Sequence, residues 1–364
     1  MRTRQAKRVV TVLVAMVLFA VPASEALGAT VAGKVRPPSR GAYVGVYKSN
    51  LPWEIAALNR YAAESSSKAP AIVMWYQPWG PRTTNPYSAE KFLTSQVRAV
   101  LDRGAIPMIT WEPWNPGGDP NYLRQPAKQP TYQLADINAG YYDNYIRTWA
   151  RAVKSVGGPV MIRPMHEMNG MWYPWCGTVN GNSPAKFRAA WRRIHTIFRR
   201  EGATNVTWVW SPNGRSYPGT YQNRIEAYYP GDAYVDWIGL SGFNWGTSRP
   251  GLRWTTFADL YTYPLAYMKR FNKPIVVAEM ATVSSGGNKA AWIKQTYSEM
   301  RWRYPQIKAV IYYDRREVGL KGVQDWELTS TRDSARAYRR AVDDPYFLGG
   351  PVSALSSWKS AISP

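Results

Sequence analysis

The sequence predicts an α/β fold, a single (β/α)₈ TIM barrel. Three observations carry that prediction. Eight short apolar runs recur along most of the 364 residues. The runs are continuous rather than alternating, as suits strands buried on both faces. Amphipathic segments separate most of them, as successive βα units require.

The runs are Ala42–Tyr47, Ala71–Tyr76, Ile106–Trp111, Val160–Pro164, Val206–Ser211, Val235–Gly242, Ile275–Glu279 and Ala309–Tyr313. The clearest helix is Pro184–Glu201. Ser183 stands at its cap, Pro184 suits its first turn, and Gly202 ends it. Phe187, Trp191, Ile194 and Phe198 fall on one face. Ala89–Arg103, Ala139–Ser155, Thr256–Phe271 and Asn288–Arg303 also read as helices. The rival fold is an open doubly wound sheet. Its dinucleotide-binding form needs a Gly-rich loop after the first strand, where this chain reads Tyr47-Lys48-Ser49-Asn50.

A leader precedes the barrel. Arg2, Arg4, Lys7 and Arg8 form a basic start, Val9 to Val21 is apolar, and Ala23, Ala26, Gly28 and Ala29 follow. This is the pattern of a secretory signal peptide over 1–29, cleaved within 23–29, with an uncleaved anchor as the alternative. The barrel domain is expected over 40–345 and a C-terminal tail over 346–364. A secreted protein, extracellular or wall-associated, is the expectation.

Lys and Arg number 46 against 24 Asp and Glu, a net charge of +22. Such a field favours anionic wall polymers or exopolysaccharide, or is simply a solvated basic face. No nucleic-acid motif accompanies it, so nucleic acid is not an expected partner. Cys176 is the single cysteine, which excludes an internal disulfide. Nothing suggests a metal or cofactor, and a monomer is expected. The 18 tryptophans either fill a large core or offer flat platforms for sugar rings.

In such a barrel, functional groups gather at the C-terminal strand ends. The third run ends Trp111-Glu112-Pro113-Trp114, the fourth Arg163-Pro164-Met165-His166-Glu167, and the fifth Trp210-Ser211-Pro212-Asn213. The sixth ends Ser241-Gly242-Phe243-Asn244-Trp245, the seventh Ala278-Glu279, and the eighth Tyr312-Tyr313-Asp314-Arg315. Runs four and seven face each other across a closed barrel, so Glu167 and Glu279 can meet over its mouth. Two carboxyl groups flanking a glycosidic bond are the minimum machinery for its hydrolysis. Glu167, beside His166, Met168 and a Trp-rich loop, suits the protonated acid. Glu279 needs donors to stay ionised, and Arg163 is the candidate.

Each assignment has an alternative. Both glutamates also suit structural salt bridges, and Glu112 is a competing rim acid. His166 orients a carboxylate or meets a sugar hydroxyl, or is a satisfied structural histidine; His195 reads as structural. Asn169 binds a sugar hydroxyl or caps the turn before Gly170. Trp172 and Trp175 are platforms, or one packs beneath the loop. Trp111, Trp210, Phe243, Trp245 and Tyr313 complete the expected substrate contacts.

The stretch Arg163 to Trp175, Arg-Pro-Met-His-Glu-Met-Asn-Gly-Met-Trp-Tyr-Pro-Trp, resembles the acid/base motif of glycoside hydrolase family 26. That family contains β-mannanases and some β-1,3-1,4-glucanases and β-1,3-xylanases. Ile109–Trp114, Tyr228–Asp232, Val235–Leu240 and Pro274–Glu279 match it in order, so the similarity covers roughly 40–345. The resemblance implies the barrel and a retaining mechanism, with Glu167 as proton donor and Glu279 as nucleophile. It also implies that His166 and Trp172 shape the subsite beside the cleaved bond. A β-linked polysaccharide is the implied substrate, β-1,4-mannan first and β-glucan second; a non-catalytic polysaccharide-binding barrel is a further reading. Three positions depart from the pattern. Phe243 stands where relatives usually carry a Tyr that hydrogen-bonds the nucleophile, Ser241 where Asp is frequent, and Tyr312-Tyr313 where an indole is common. Losing a donor would weaken the nucleophile's orientation.

Overall fold

A computed structural model describes residues 33–80, 90–116, 126–319 and 322–352. The leader over 1–29 and the end of the tail lie outside them. Eight parallel strands pair in chain order: β1 Ala42–Tyr47, β2 Ile72–Pro78, β3 Ile106–Glu112, β4 Val160–Pro164, β5 Val206–Trp210, β6 Trp237–Asn244, β7 Ile275–Thr282 and β8 Ile307–Tyr313. The eighth returns to the first, with Tyr43 opposite Ala309 and Tyr47 opposite Tyr313, so the sheet closes into the expected (β/α)₈ barrel. Nearly every residue of these strands is buried, because side chains facing out meet helices and side chains facing in meet one another.

The helix Pro184–Arg200 forms as its signals require. Ser183 accepts the Lys186 N–H at 3.2 Å, and Phe187, Trp191, Ile194 and Phe198 are buried. Elsewhere the boundaries move. The segment expected to be helical from Ala89 starts only at Thr94. Before it, the Glu90 carbonyl accepts the Tyr145 hydroxyl and the Trp149 indole N–H, which pins the chain in another course. The segment Ala139–Ser155 is broken. Leu134–Ala139 stops at Gly140, whose φ of 94° is left-handed, and Asp143–Val156 begins afresh. Phe257–Met268 opens with a reciprocal Thr256–Asp259 cap, and Lys289–Trp302 is capped by Asn288.

Besides Leu134–Ala139, further described elements lack a counterpart among the expected ones. They include the helices Ala57–Glu64 and Arg332–Asp343, a hairpin of β9 Arg316–Gly319 with β10 Gly322–Asp325, and β11 Phe347–Leu348. The last pairs with β1, and Val352 beyond it is buried, so the first part of the expected tail belongs to the barrel. Among the described residues nine tryptophans are under 2% exposed, so core packing accounts for much of the indole content.

Candidate active site

Arg163, facing inward from β4, crosses the barrel beneath its mouth. Its Nε donates to Thr110 Oγ1 at 2.9 Å, its Nη1 to Ser211 Oγ and Ser241 Oγ at 3.4 Å each, and its Nη2 to Glu279 Oε1. Inward residues of β3, β6 and β7, with Ser211 at the end of β5, thus hold one guanidinium, and both members of the ion pair are buried. Burial opposes the Arg163 charge. The facing Glu279 carboxylate, then Tyr76, outweigh it and hold the pKa above the ordinary value. Serine at 241 leaves this charge for Glu279, where an aspartate would compete for it. Glu279 Oε1 is thereby occupied, and Oε2 accepts no hydrogen bond among the described residues. The pairing of β7 slips on both sides here, between Leu240 and Ser241 against β6 and between Val277 and Met280 against β8. Such irregularities re-aim a side chain at a strand end.

Glu167 is placed by a strained turn. Met165 and Glu167 hold φ of 50° and 53°, a left-handed conformation that L-residues rarely adopt. Backbone bonds from Met165 N–H to the Trp111 carbonyl, 3.1 Å, and from Glu167 N–H to the Ser211 carbonyl, 2.7 Å, fix it. The following loop is bolted beneath. Trp175 Nε1 donates to the His166 carbonyl at 2.7 Å and the Cys176 thiol to the Glu167 carbonyl at 3.5 Å. Trp172 then folds back, its indole N–H donating to Glu167 Oε2 at 2.8 Å. A Cβ on Gly170 would stand 2.6 Å from that indole, so glycine is needed for the close approach. Burial, then the Glu279 charge, push the half-buried Glu167 up to about 7; the Trp172 bond and Arg163 act the other way.

His166 is buried, with Nε2 3.1 Å from the Tyr173 hydroxyl. Its Nδ1 lies 3.9 Å from Glu112 Oε1, too far for a hydrogen bond. Burial, then Arg163, hold the ring well below its usual pKa, so it is neutral and forms no ion pair with Glu112. Glu112 itself accepts the Trp114 indole N–H at 3.1 Å.

Aromatic rings line the other side of the mouth. Tyr47 stacks on Tyr313 with centroids 4.5 Å apart, Tyr76 stands edge-on to Tyr47 at 5.1 Å, and Phe243 meets Tyr313 at 5.3 Å. Tyr313 donates to Glu317 of the hairpin at 2.6 Å. Trp245 is half-buried, with the Arg249 guanidinium 3.8 Å over its ring.

Several expected contacts are corrected, two of them by strand parity and two by the packing of the loop after β4. Trp111 points away from the barrel axis, fully buried and stacked on Trp149 at 4.4 Å. Trp210 likewise packs on Tyr229 and Phe271. Trp175 is the indole that lies under the loop, stacked on Tyr173. Asn169 is fully buried. Its amide donates to the Asn213 carbonyl at 2.9 Å and accepts the Asn213 N–H at 2.8 Å, which ties two loops together. None of the four offers a surface to a ligand. Tyr47 and Tyr76 are not among the expected contacts, yet both close apolar runs, and the strand-end rule reaches them.

A family model described as "Glycosyl hydrolase family 26" matches residues 121–313. Endoglucanase H of Acetivibrio thermocellus is 38% identical over 256 residues, 67% of this chain. Mannan endo-1,4-beta-mannosidase A and B of Caldalkalibacillus mannanilyticus is 26% identical over 223 residues, 56% of the chain. The chain spans 25% of the length of the first and 40% of the second. A solved GH26 endo-beta-1,4-mannanase domain of Bacillus sp. JAMB-750 superposes with a TM-score of 0.60 at 16% identity, over 88% of this chain and 89% of that one, which speaks for the fold. The matched segment runs from before β4 to the end of β8 and contains both rim glutamates and Arg163, and by that match the chain belongs to glycosyl hydrolase family 26.

Proposed function

We propose that the chain is a retaining endo-β-glycosidase acting on a β-linked polysaccharide. One observation carries the reading: two carboxyl groups meet at the barrel mouth, one paired with buried Arg163 and the other held toward its protonated form. Arg163 pairs with Glu279, while burial, then the Glu279 charge, favour protonated Glu167. Glu279 Oε2 attacks the anomeric carbon as Glu167 gives its proton to the departing oxygen. Glu167 then takes a proton from the water that releases the sugar from Glu279. Arg163 answers the missing donor at Phe243, which weighs against a non-catalytic barrel.

Identity of 38% to Endoglucanase H, against 26% to the mannosidase, favours a β-glucan as substrate, with β-1,4-mannan second. The leader supports export, and the charge of +22 suits residence near anionic wall polymers.

The test is product release from glucans, mannans and xylans, followed by rescue of two variants. Glu279→Ala should lose turnover and regain part of it with azide, giving inverted configuration. Glu167→Ala should spare substrates with good leaving groups and give a retained azide product. Retained configuration from the Glu279 variant would overturn the assignment.

A further inference from the structure

A second groove lies outside the cleft of Glu167 and Glu279. It encloses about 550 Å³ between the loop after β5 and the helix Phe257–Met268, with Arg215, Thr220, Arg224, Glu226, Tyr263 and Tyr267 among its walls. Its charge is unbalanced. Arg224 pairs with Glu226 at 3.2 Å, and the Tyr267 hydroxyl donates to the same carboxylate. Arg215 is exposed and forms no ion pair among the described residues. Asp259 feels its charge, but that carboxylate is bound by Thr256 N–H and hydroxyl at 2.8 Å each. Tyr263, 59% exposed, shares the groove with this cation, and Tyr217, two residues along the loop from Arg215, is 49% exposed.

The groove is registered to the cleft. Tyr217 N–H donates to the Asn169 carbonyl at 2.8 Å, and Asn223 donates to it at 2.9 Å. Asn169 is two residues from Glu167. The Tyr217 ring stands 5.9 Å from Trp172, whose indole holds that glutamate. Tyr217 thus neighbours Trp172 in space and Arg215 along the same loop.

We propose that this groove binds a sugar residue bearing an anionic substituent, on the leaving-group side of the same polysaccharide. Tyr263 takes the apolar ring face, and the Arg215 guanidinium takes the oxyanion through its paired N–H groups. The inference deepens the reading of the cleft as a glycosidase. Binding is measured without turnover, so the two can fail separately.

The experiment is titration calorimetry of the full chain carrying Glu167→Gln with unmodified, carboxymethylated and sulfated forms of one β-glucan, repeated with β-mannan. Charged polymer should bind tighter than neutral, and Arg215→Ala should remove about three- to fivefold of that preference, as fits a solvent-edged ion pair. Tyr263→Ala should weaken neutral and charged polymers alike. The carboxymethylated and sulfated arms say which oxyanion is preferred. An unchanged preference in Arg215→Ala, at low and high salt alike, would overturn the proposal.

Discussion

The Trp172 indole N–H donates to Glu167 Oε2 at 2.8 Å from five residues along the same loop. The aromatic ring beside the cleft is therefore also an electrostatic control on the acid.

This bond stabilises the ionised carboxylate and lowers its pKa against burial and the Glu279 charge, which raise it. Trp172→Phe keeps an aromatic face and loses the donor. Its basic limb in kcat/KM, set near pH 7 by Glu167 in the parent, should move to higher pH. The rate itself should fall by about tenfold through altered stacking. A pH–rate profile on a natural polymer reads both; an unmoved limb would show that the indole sets only packing.

Glu167 also ties stability to pH. Its folded-state pKa of about 7 exceeds the usual carboxylate value, so the folded chain binds this proton more tightly than the unfolded chain does. The stability this adds is full below about pH 4 and is lost as pH rises through about 7. Glu167→Gln should therefore raise Tm at pH 8, by about 2–5 °C, with no gain at pH 4. The half-buried carboxyl keeps a solvent edge, which limits the effect to about 1–2 kcal/mol. Scanning calorimetry at the two pH values checks the sign.

Arg163 should be the most sensitive position of the site. Arg163→Met leaves the Glu279 carboxylate buried and unpaired, a loss of about 3–5 kcal/mol. Arg163→Met with Glu279→Gln should recover much of it in chemical denaturation, because no buried charge then remains. Ser241→Asp places a second carboxylate against the same guanidinium and should cut kcat by about tenfold. Adding Phe243→Tyr, which offers a new donor, should restore part of that loss.

The apolar runs and their polar ends were enough to predict a closed barrel and the rim on which Glu167 and Glu279 stand. That legibility has a simple origin: strands buried on both faces must be continuously apolar, so the residue where a run breaks marks the mouth. Helix boundaries were less legible, since Gly140 and the anchored Glu90 act through partners distant in the chain. Residue order suffices to say which side-chain types reach the rim. Tertiary structure alone decided which of them face the cleft. Trp111 and Trp210 follow the same strand ends as Thr110 and Ser211, yet one step along a pleat turns a side chain from the barrel axis to the helices. Arg163 likewise acquires its role only when closure brings β7 within reach of β4, because the charge that holds Glu279 arrives from 116 positions away.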